Sequence, residues 1–260
     1  MLTLTLLAKA YNNSQLRLVD ESLRLTLKDL NVEAKVVGVT SHRWIQVAIS
    51  GEDEKVALHY LTEEIGLCPE DLEKIKRFST IRGHVIDMNR NSGKLCVDIG
   101  VYLPKTIDVS IPLQDLQAQL LDGRKATLKE IVKFYGFCEN LPLGIKISDI
   151  DVEHNLIEAM LSEEQLILYK NWIKSLLDRL IILGAPLEEI ESALKMAKCN
   201  RDVINIEPLG LFEYAVVCKL GTDAEGLIPK IGRNLQNAVF AVFDPKRVLE
   251  FLDYSTVFIS

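Results

Sequence analysis

Six basic side chains, Lys76, Arg77, Arg82, Arg90, Lys94 and Lys105, lie close together in a chain whose formal net charge is −7. Between Lys74 and Lys105 seven basic residues stand against two acidic ones, Asp87 and Asp98. A local excess of cations in an acidic chain is the pattern that phosphate contacts require, because backbone charge dominates the affinity of nucleic-acid complexes. The same charges would also serve as solvated residues that block pairing at strand edges. Base stacking needs exposed aromatic rings. Only Phe78, His84 and Tyr102 fall in this window, so contact with RNA would rest mainly on phosphates and shape.

A second stretch, Gly221–Arg233, follows an expected strand and opens a helix. Thr222 and Glu225 have capping-box spacing, and free backbone N–H groups at a helix start can hold an anion. Gly221, Thr222, Lys230 and Arg233 are the candidate anion-binding residues. The stretch has no GxGxxG and no GKS or GKT ending, and Asp223 and Glu225 would oppose an anion. Arg43-Trp44, at a turn between two strands, is either an exposed gripping pair or a buried indole beside a solvated guanidinium.

Catalytic chemistry is not legible. His42, His59, His84 and His154 are scattered, with no HExxH or HxH setting and no G-x-S-x-G. Asp149 and Asp151 lack a third ligand and read as a turn. The five cysteines form no CxxC, so no structural metal is expected and buried free thiols of a reducing compartment are. The expected cofactor set is empty and no catalytic residue is assigned.

These residues need elements to position them. Periodicity predicts strand 2–8, helix 15–29, strands Val32–Val39 and Trp44–Ile49, and a helix ending near Glu64. That order is a ferredoxin-like unit lacking its final strand. From residue 79 a hairpin, Ile81–Ile86 and Leu95–Val101, turns through Asn89–Gly93. A strand at Ile107–Ile111, helices at Leu113–Leu121 and Thr127–Tyr135, and a strand at Leu143–Ser148 complete an OB-like barrel. A capping box at Ser162–Gln165 starts a helix whose apolar face runs to Leu180, with Gly184 as its stop. Pro186 starts a second helix. This acidic helical hairpin, 162–198, precedes strands at Asp202–Glu207, Leu211–Leu220 and Ala238–Phe243. The fold class is α+β and multidomain: an α+β unit over 1–75, an OB-like β-barrel over 76–151, and a helical hairpin with a small α+β unit over 152–260.

With 260 residues, 48% hydrophobic and 26% charged, the chain can bury ordinary cores. The apolar run in MLTLTLLAKAYNN is too short for a signal peptide, and no segment approaches a membrane span. A cytoplasmic protein that does not engage membranes is expected.

Three segments together, Arg82–Val101, Tyr135–Leu143 and Val217–Gly232, resemble the archaeal domain of unknown function 2110 family, over nearly the whole chain. The resemblance implies an archaeal cytoplasmic protein and carries over no catalytic residue. Gly83-x-Val85, Gly93-x-x-Cys96 through Val101 and Ile145–Asp151 also resemble the OB-fold RNA-binding module repeated in the large RNA-binding protein of bacterial small ribosomal subunits. The order of units is similar to that of the alpha subunit of archaeal initiation factor two. The expected function is therefore a non-enzymatic RNA-binding protein, associated with the ribosome or RNA processing. The alternative is a protein-interaction or scaffold protein that uses the acidic hairpin or a sheet edge.

Overall fold

The computed structural model describes residues 1–69, 71–88, 93–102, 106–151, 154 and 156–253. The candidate residues Arg90 and Lys105 lie outside them. Two compact units are present. One comprises Met1–Lys74, Gly100–Thr106 and Gly210–Phe212, and the other Ile75–Ile99, Ile107–Leu209 and Glu213–Ser260.

The first unit runs β1 (Leu2–Lys9), α1 (Asn13–Thr26), β2 (Val32–Val39), β3 (Trp44–Gly51) and α2 (Glu54–Glu64), the expected order of elements. Its sheet has the order β1-β3-β2 with antiparallel neighbours. Asn12 caps α1 by accepting from the Gln15 N–H, which satisfies an otherwise orphaned donor. Alternation turns Leu4, Leu6 and Ala8 of β1 and Ile45, Val47 and Ile49 of β3 to one face. They pack there with Val19 and Leu23 of α1 and Ala57 and Leu61 of α2. The outer edge of β1 is covered by the chain after α2. Leu7 N–H donates to Gly66 O and Cys68 N–H to Thr5 O, both at 2.9 Å, and Leu6 and Leu67 form one antiparallel bridge. A fourth strand is thus reduced to a single bridge.

Trp44 is only 1% exposed, so the exposed Arg-Trp grip is excluded. The indole lies under the Lys9 ammonium, 4.7 Å from the ring centroid. Arg43 has φ +68° and donates its Nε to Ala10 O and its Nη2 to Tyr11 O, which fastens the turn.

The second unit opens with β4 (Thr80–Ile86), β5 (Lys94–Val101), β6 (Ile107–Pro112), α3 (Leu113–Leu120), α4 (Leu128–Tyr135), β7 (Pro142–Asp151) and β8 (Leu156–Leu161). The five strands close a barrel in the order β4-β5-β6-β8-β7. Neighbours β6 and β8 are parallel, and β4 pairs antiparallel with both β5 and β7. Val85, Val97, Ile99, Val109, Ile145, Ile147 and Ile157 are among the fully buried apolar residues of these strands. α4 carries a complete capping box, Thr127 with Glu130, and stops at Gly136 with φ +65°. β8 has no counterpart in the expected elements, because Glu158, Ala159 and Met160 are better helix than strand formers.

The chain continues through α5 (Glu163–Ser175), β9 (Arg179–Leu183), α6 (Leu187–Met196), β10 (Val203–Pro208), β11 (Glu213–Cys218), α7 (Ile228–Ile231), β12 (Val239–Phe243) and α8 (Pro245–Phe251). These strands form a sheet of order β10-β11-β9-β12 with antiparallel neighbours. The expected helical hairpin over 162–198 is not formed. α5 ends at Ser175, and Leu176, at φ +56°, caps it in the left-handed region. Arg179–Leu183 is instead a central strand, buried at every position. A strand covered on both faces loses its period of two, and its continuous apolar run mimics a helical face. The acidic hairpin offered as a protein-binding element therefore does not exist as such. Among the described residues, no helix is long and apolar enough to cross a membrane.

An aromatic cluster ties α4, α5 and β12 together. The Tyr169 ring lies 5.1 Å from Tyr135, 5.6 Å from Trp172 and 6.2 Å from Phe243. Tyr135 hands its hydroxyl to Leu120 O at 2.6 Å, which settles its polar end inside an apolar site.

Candidate nucleic-acid interface

The described residues of the basic window do not form one continuous face. Lys76, Arg77 and Phe78 stand together on the barrel rim where β4 begins and β7 ends. Phe78 N–H donates to Ile147 O at 2.9 Å, and Ser79 closes the turn on Lys76 O. Arg77 donates its Nε to Ser148 O at 2.8 Å and lies 3.7 Å from the Asp149 carboxylate. Its guanidinium carbon is 5.0 Å from the Phe78 ring centroid. Phe78 is 64% exposed and has φ +66°, a conformation rare for a bulky L residue. An exposed phenyl with a guanidinium on it, beside an exposed Lys76, is a stacking plate within reach of phosphate. Of the three rings that the sequence places in this window, His84 is buried and Tyr102 half-buried, which leaves Phe78 as the exposed one.

The other two described candidates, Arg82 and Lys94, go elsewhere. Arg82 on β4 is exposed, but its Nη2 donates to Leu209 O at 2.5 Å. Lys94 opens β5 and is half-buried. The outward positions of β5 and β6 include Asp98 and Asp108 by alternation, and Asp98 is fully buried. The half-buried Asp108 carboxylate disfavours phosphate on these strands, and among the described candidates the exposed pair Lys76 and Arg77 stands at the rim.

The predicted anion site around Gly221 is built differently from its expectation. Gly221 has φ +86°, and Thr222 N–H donates to Lys219 O at 2.9 Å. The Thr222–Glu225 capping box is absent. Asp223 accepts from the Glu225 N–H at 3.0 Å, and Asp178 accepts from the Ala224 N–H at 3.5 Å. The turn leads into a 3₁₀ turn, Glu225–Leu227, and the four-residue α7, which carries Lys230. Arg233 follows it. Two carboxylates already occupy the N–H groups an anion would use. Burial, with Asp244 and Asp223 nearby, raises the Asp178 carboxyl above its usual value.

Two thiols, those of Cys138 and Cys218, are poor nucleophiles. Burial, with Glu139 adding to it, pushes Cys138 up to about 12. Burial, with Asp178 adding to it, pushes Cys218 up to about 11. Since the thiolate is the reactive form, iodoacetamide at pH 8 is expected to leave Cys138 and Cys218 unmodified in the native protein and to label both in urea. Peptide mass mapping reads the result, and native labelling of Cys138 at the unfolded rate would contradict it.

A search of curated proteins gives no match. Among solved structures, the chain is similar to the intact alpha subunit of the factor aIF2 from Pyrococcus abyssi. Identity is 10%, coverage is 65% of this chain and 96% of that one, and the TM-score is 0.22; a superposition at that level does not equate the two folds. Family comparison matches the DUF2110 N-terminal domain over residues 3–71, the central domain over 76–173 and the C-terminal domain over 177–243. The resemblance read from Arg82–Val101, Tyr135–Leu143 and Val217–Gly232 thus extends along the chain, which belongs to the DUF2110 family.

Proposed function

We propose that this is a non-enzymatic RNA-binding protein whose barrel is of the OB type and holds a single strand at its rim, in the service of the ribosome or of RNA processing. The barrel's strand order supports the reading. Numbered from β4, it closes as 1-2-3-5-4 with a parallel third and fifth strand, and its helices lie between the third and fourth. Barrels of this type bind oligonucleotides with a strand face and the loops joining strands one to two and four to five. The Arg77–Phe78 pair carries the proposal. It stands where β7 leaves for the fourth-to-fifth connection, tied to Ser148 and Asp149. There Phe78 stacks a base, while Lys76 and Arg77 take phosphates.

The test is fluorescence anisotropy with a labelled oligoribonucleotide of about 12 nucleotides, within the length range such barrels span. Native protein is expected to bind with affinity that falls as salt rises. Phe78→Ala should lose about tenfold or more, since one stacked base is worth about 1–3 kcal/mol. Lys76→Ala with Arg77→Ala should flatten the salt dependence by about 1–2 log units per log unit. Equal affinity of the native, Phe78→Ala and double-alanine proteins would overturn the proposal.

A further inference from the structure

The second unit holds another feature, apart from the Arg77–Phe78 rim. A cleft of about 220 Å³ is lined by Arg82, Pro142, Gln165, Trp172, Glu207 and Pro208, among others. Arg82 reaches it from β4, its Nη2 fixed on Leu209 O. Its Nε and Nη1 have no hydrogen-bond partner among the described residues. Glu207 reaches it from β10, an edge strand of the sheet. Glu207 Oε2 accepts from Trp172 Nε1 at 3.1 Å and from Arg179 Nε at 3.3 Å. Both donors belong to buried residues, and the Arg179 guanidinium lies 4.8 Å from the Trp172 ring centroid. This anchorage holds the carboxylate in place and uses one oxygen only. Oε1 has no partner among the described residues.

The cleft therefore presents one donor head and one acceptor head between flat apolar walls. Its complement is a planar heterocycle with an N–H donor beside an acceptor. Guanine, adenine and cytosine each carry an exocyclic amino group next to a ring acceptor, whereas the base-pairing N–H of uracil lies in the ring between two carbonyl oxygens, one of which a carboxylate must face.

We propose that this cleft binds one unstacked nucleobase bearing an exocyclic amino group, which donates to Glu207 Oε1 while the neighbouring acceptor takes Arg82. The inference rests on the RNA reading only for the source of the base, a nucleotide splayed out of a bound strand. The chemistry of the cleft can be tested without RNA.

Guanosine, adenosine, cytidine and uridine are titrated separately against the whole chain by calorimetry and saturation-transfer NMR. The three amino-bearing nucleosides should bind, and uridine at least about tenfold more weakly, since its imide N–H brings a flanking carbonyl oxygen up against the Glu207 carboxylate. Arg82→Met alters an exposed side chain and should keep the fold while lowering nucleoside affinity about tenfold or more. Glu207→Gln should narrow the preference against uridine. If loss of the Arg179 partner unfolds that variant, Arg82→Met decides. Absence of nucleoside binding, equal binding of uridine, or unchanged affinity in Arg82→Met would overturn the proposal. RNA binding without nucleoside binding removes the cleft and leaves the rim reading standing. Nucleoside binding without RNA binding removes the rim reading and leaves the cleft.

Discussion

Gly83→Ala is expected to destabilise the barrel by about 2–4 kcal/mol, at or above the usual range for overpacking. A Cβ at Gly83 would lie 2.6 Å from both Asp98 O and Val97 Cγ1, and 2.8 Å from Ile99 Cγ2. The nearest atoms include a backbone carbonyl of β5, which cannot rotate away as a flexible side chain would. β4 must then move off β5. It is also paired to β7, Gly83 opposite Leu143, and a closed barrel has no free edge at which to absorb the shift. Gly123→Ala is the control. Gly123 has φ +78° with nothing within 4 Å of its Cβ, so alanine there costs only backbone strain, about 1–2 kcal/mol. Urea midpoints at constant slope read both variants. If Gly83→Ala is no worse than Gly123→Ala, the close approach of β4 to β5 is not what fixes glycine at this position.

Gly83 also shows which parts of the fold the residues reveal. The β4–β5 hairpin was legible because alternating Val85, Val97 and Ile99 are bounded by a glycine-containing turn, and both halves of that signal are local. The first unit was legible for the same reason, its helices and strands being amphipathic and separated by capping and turn residues. Two elements were not. Arg179–Leu183 lies between β11 and β12, so neither face alternates, and its leucines continue the period of α5. Leu156–Leu161 closes the barrel through parallel pairing with β6, a partner distant in sequence, and its composition leans toward helix. Both errors arise where tertiary burial overrides local preference. The candidate site divides in the same way. The local charge excess marked Lys76 and Arg77, but charge counting could not tell that Arg82 turns to a backbone carbonyl. Nor could it tell that Glu207 shares a cleft with Arg82 and Trp172, because those residues meet only through the packing of β10 beside the barrel. The Thr222–Glu225 box failed because Asp223, adjacent in sequence, supplies a carboxylate to the same backbone donor.

Tyr169→Ala should have the largest effect of any single substitution considered, about 3–5 kcal/mol, the range for removing a buried aromatic ring. Tyr169 is 3% exposed, and its ring meets those of Tyr135, Phe137, Trp172 and Phe243. These neighbours come from α4, the loop after it, α5 and β12, so the cavity would open among elements of both the barrel and the four-stranded sheet. Close-packed surroundings collapse only partly into such a void, which adds a cavity cost to the lost burial. Tyr169→Phe keeps the ring and its contacts with the neighbouring rings and should lose no more than about 1 kcal/mol. Amide exchange distinguishes this cluster from a local plug. If the rings hold barrel and sheet in one cooperative unit, Tyr169→Ala accelerates exchange in β7 and β9 by similar factors. Acceleration confined to α5 would mean that the two sheets are stabilised separately, and that the aromatic residues fill space without coupling them.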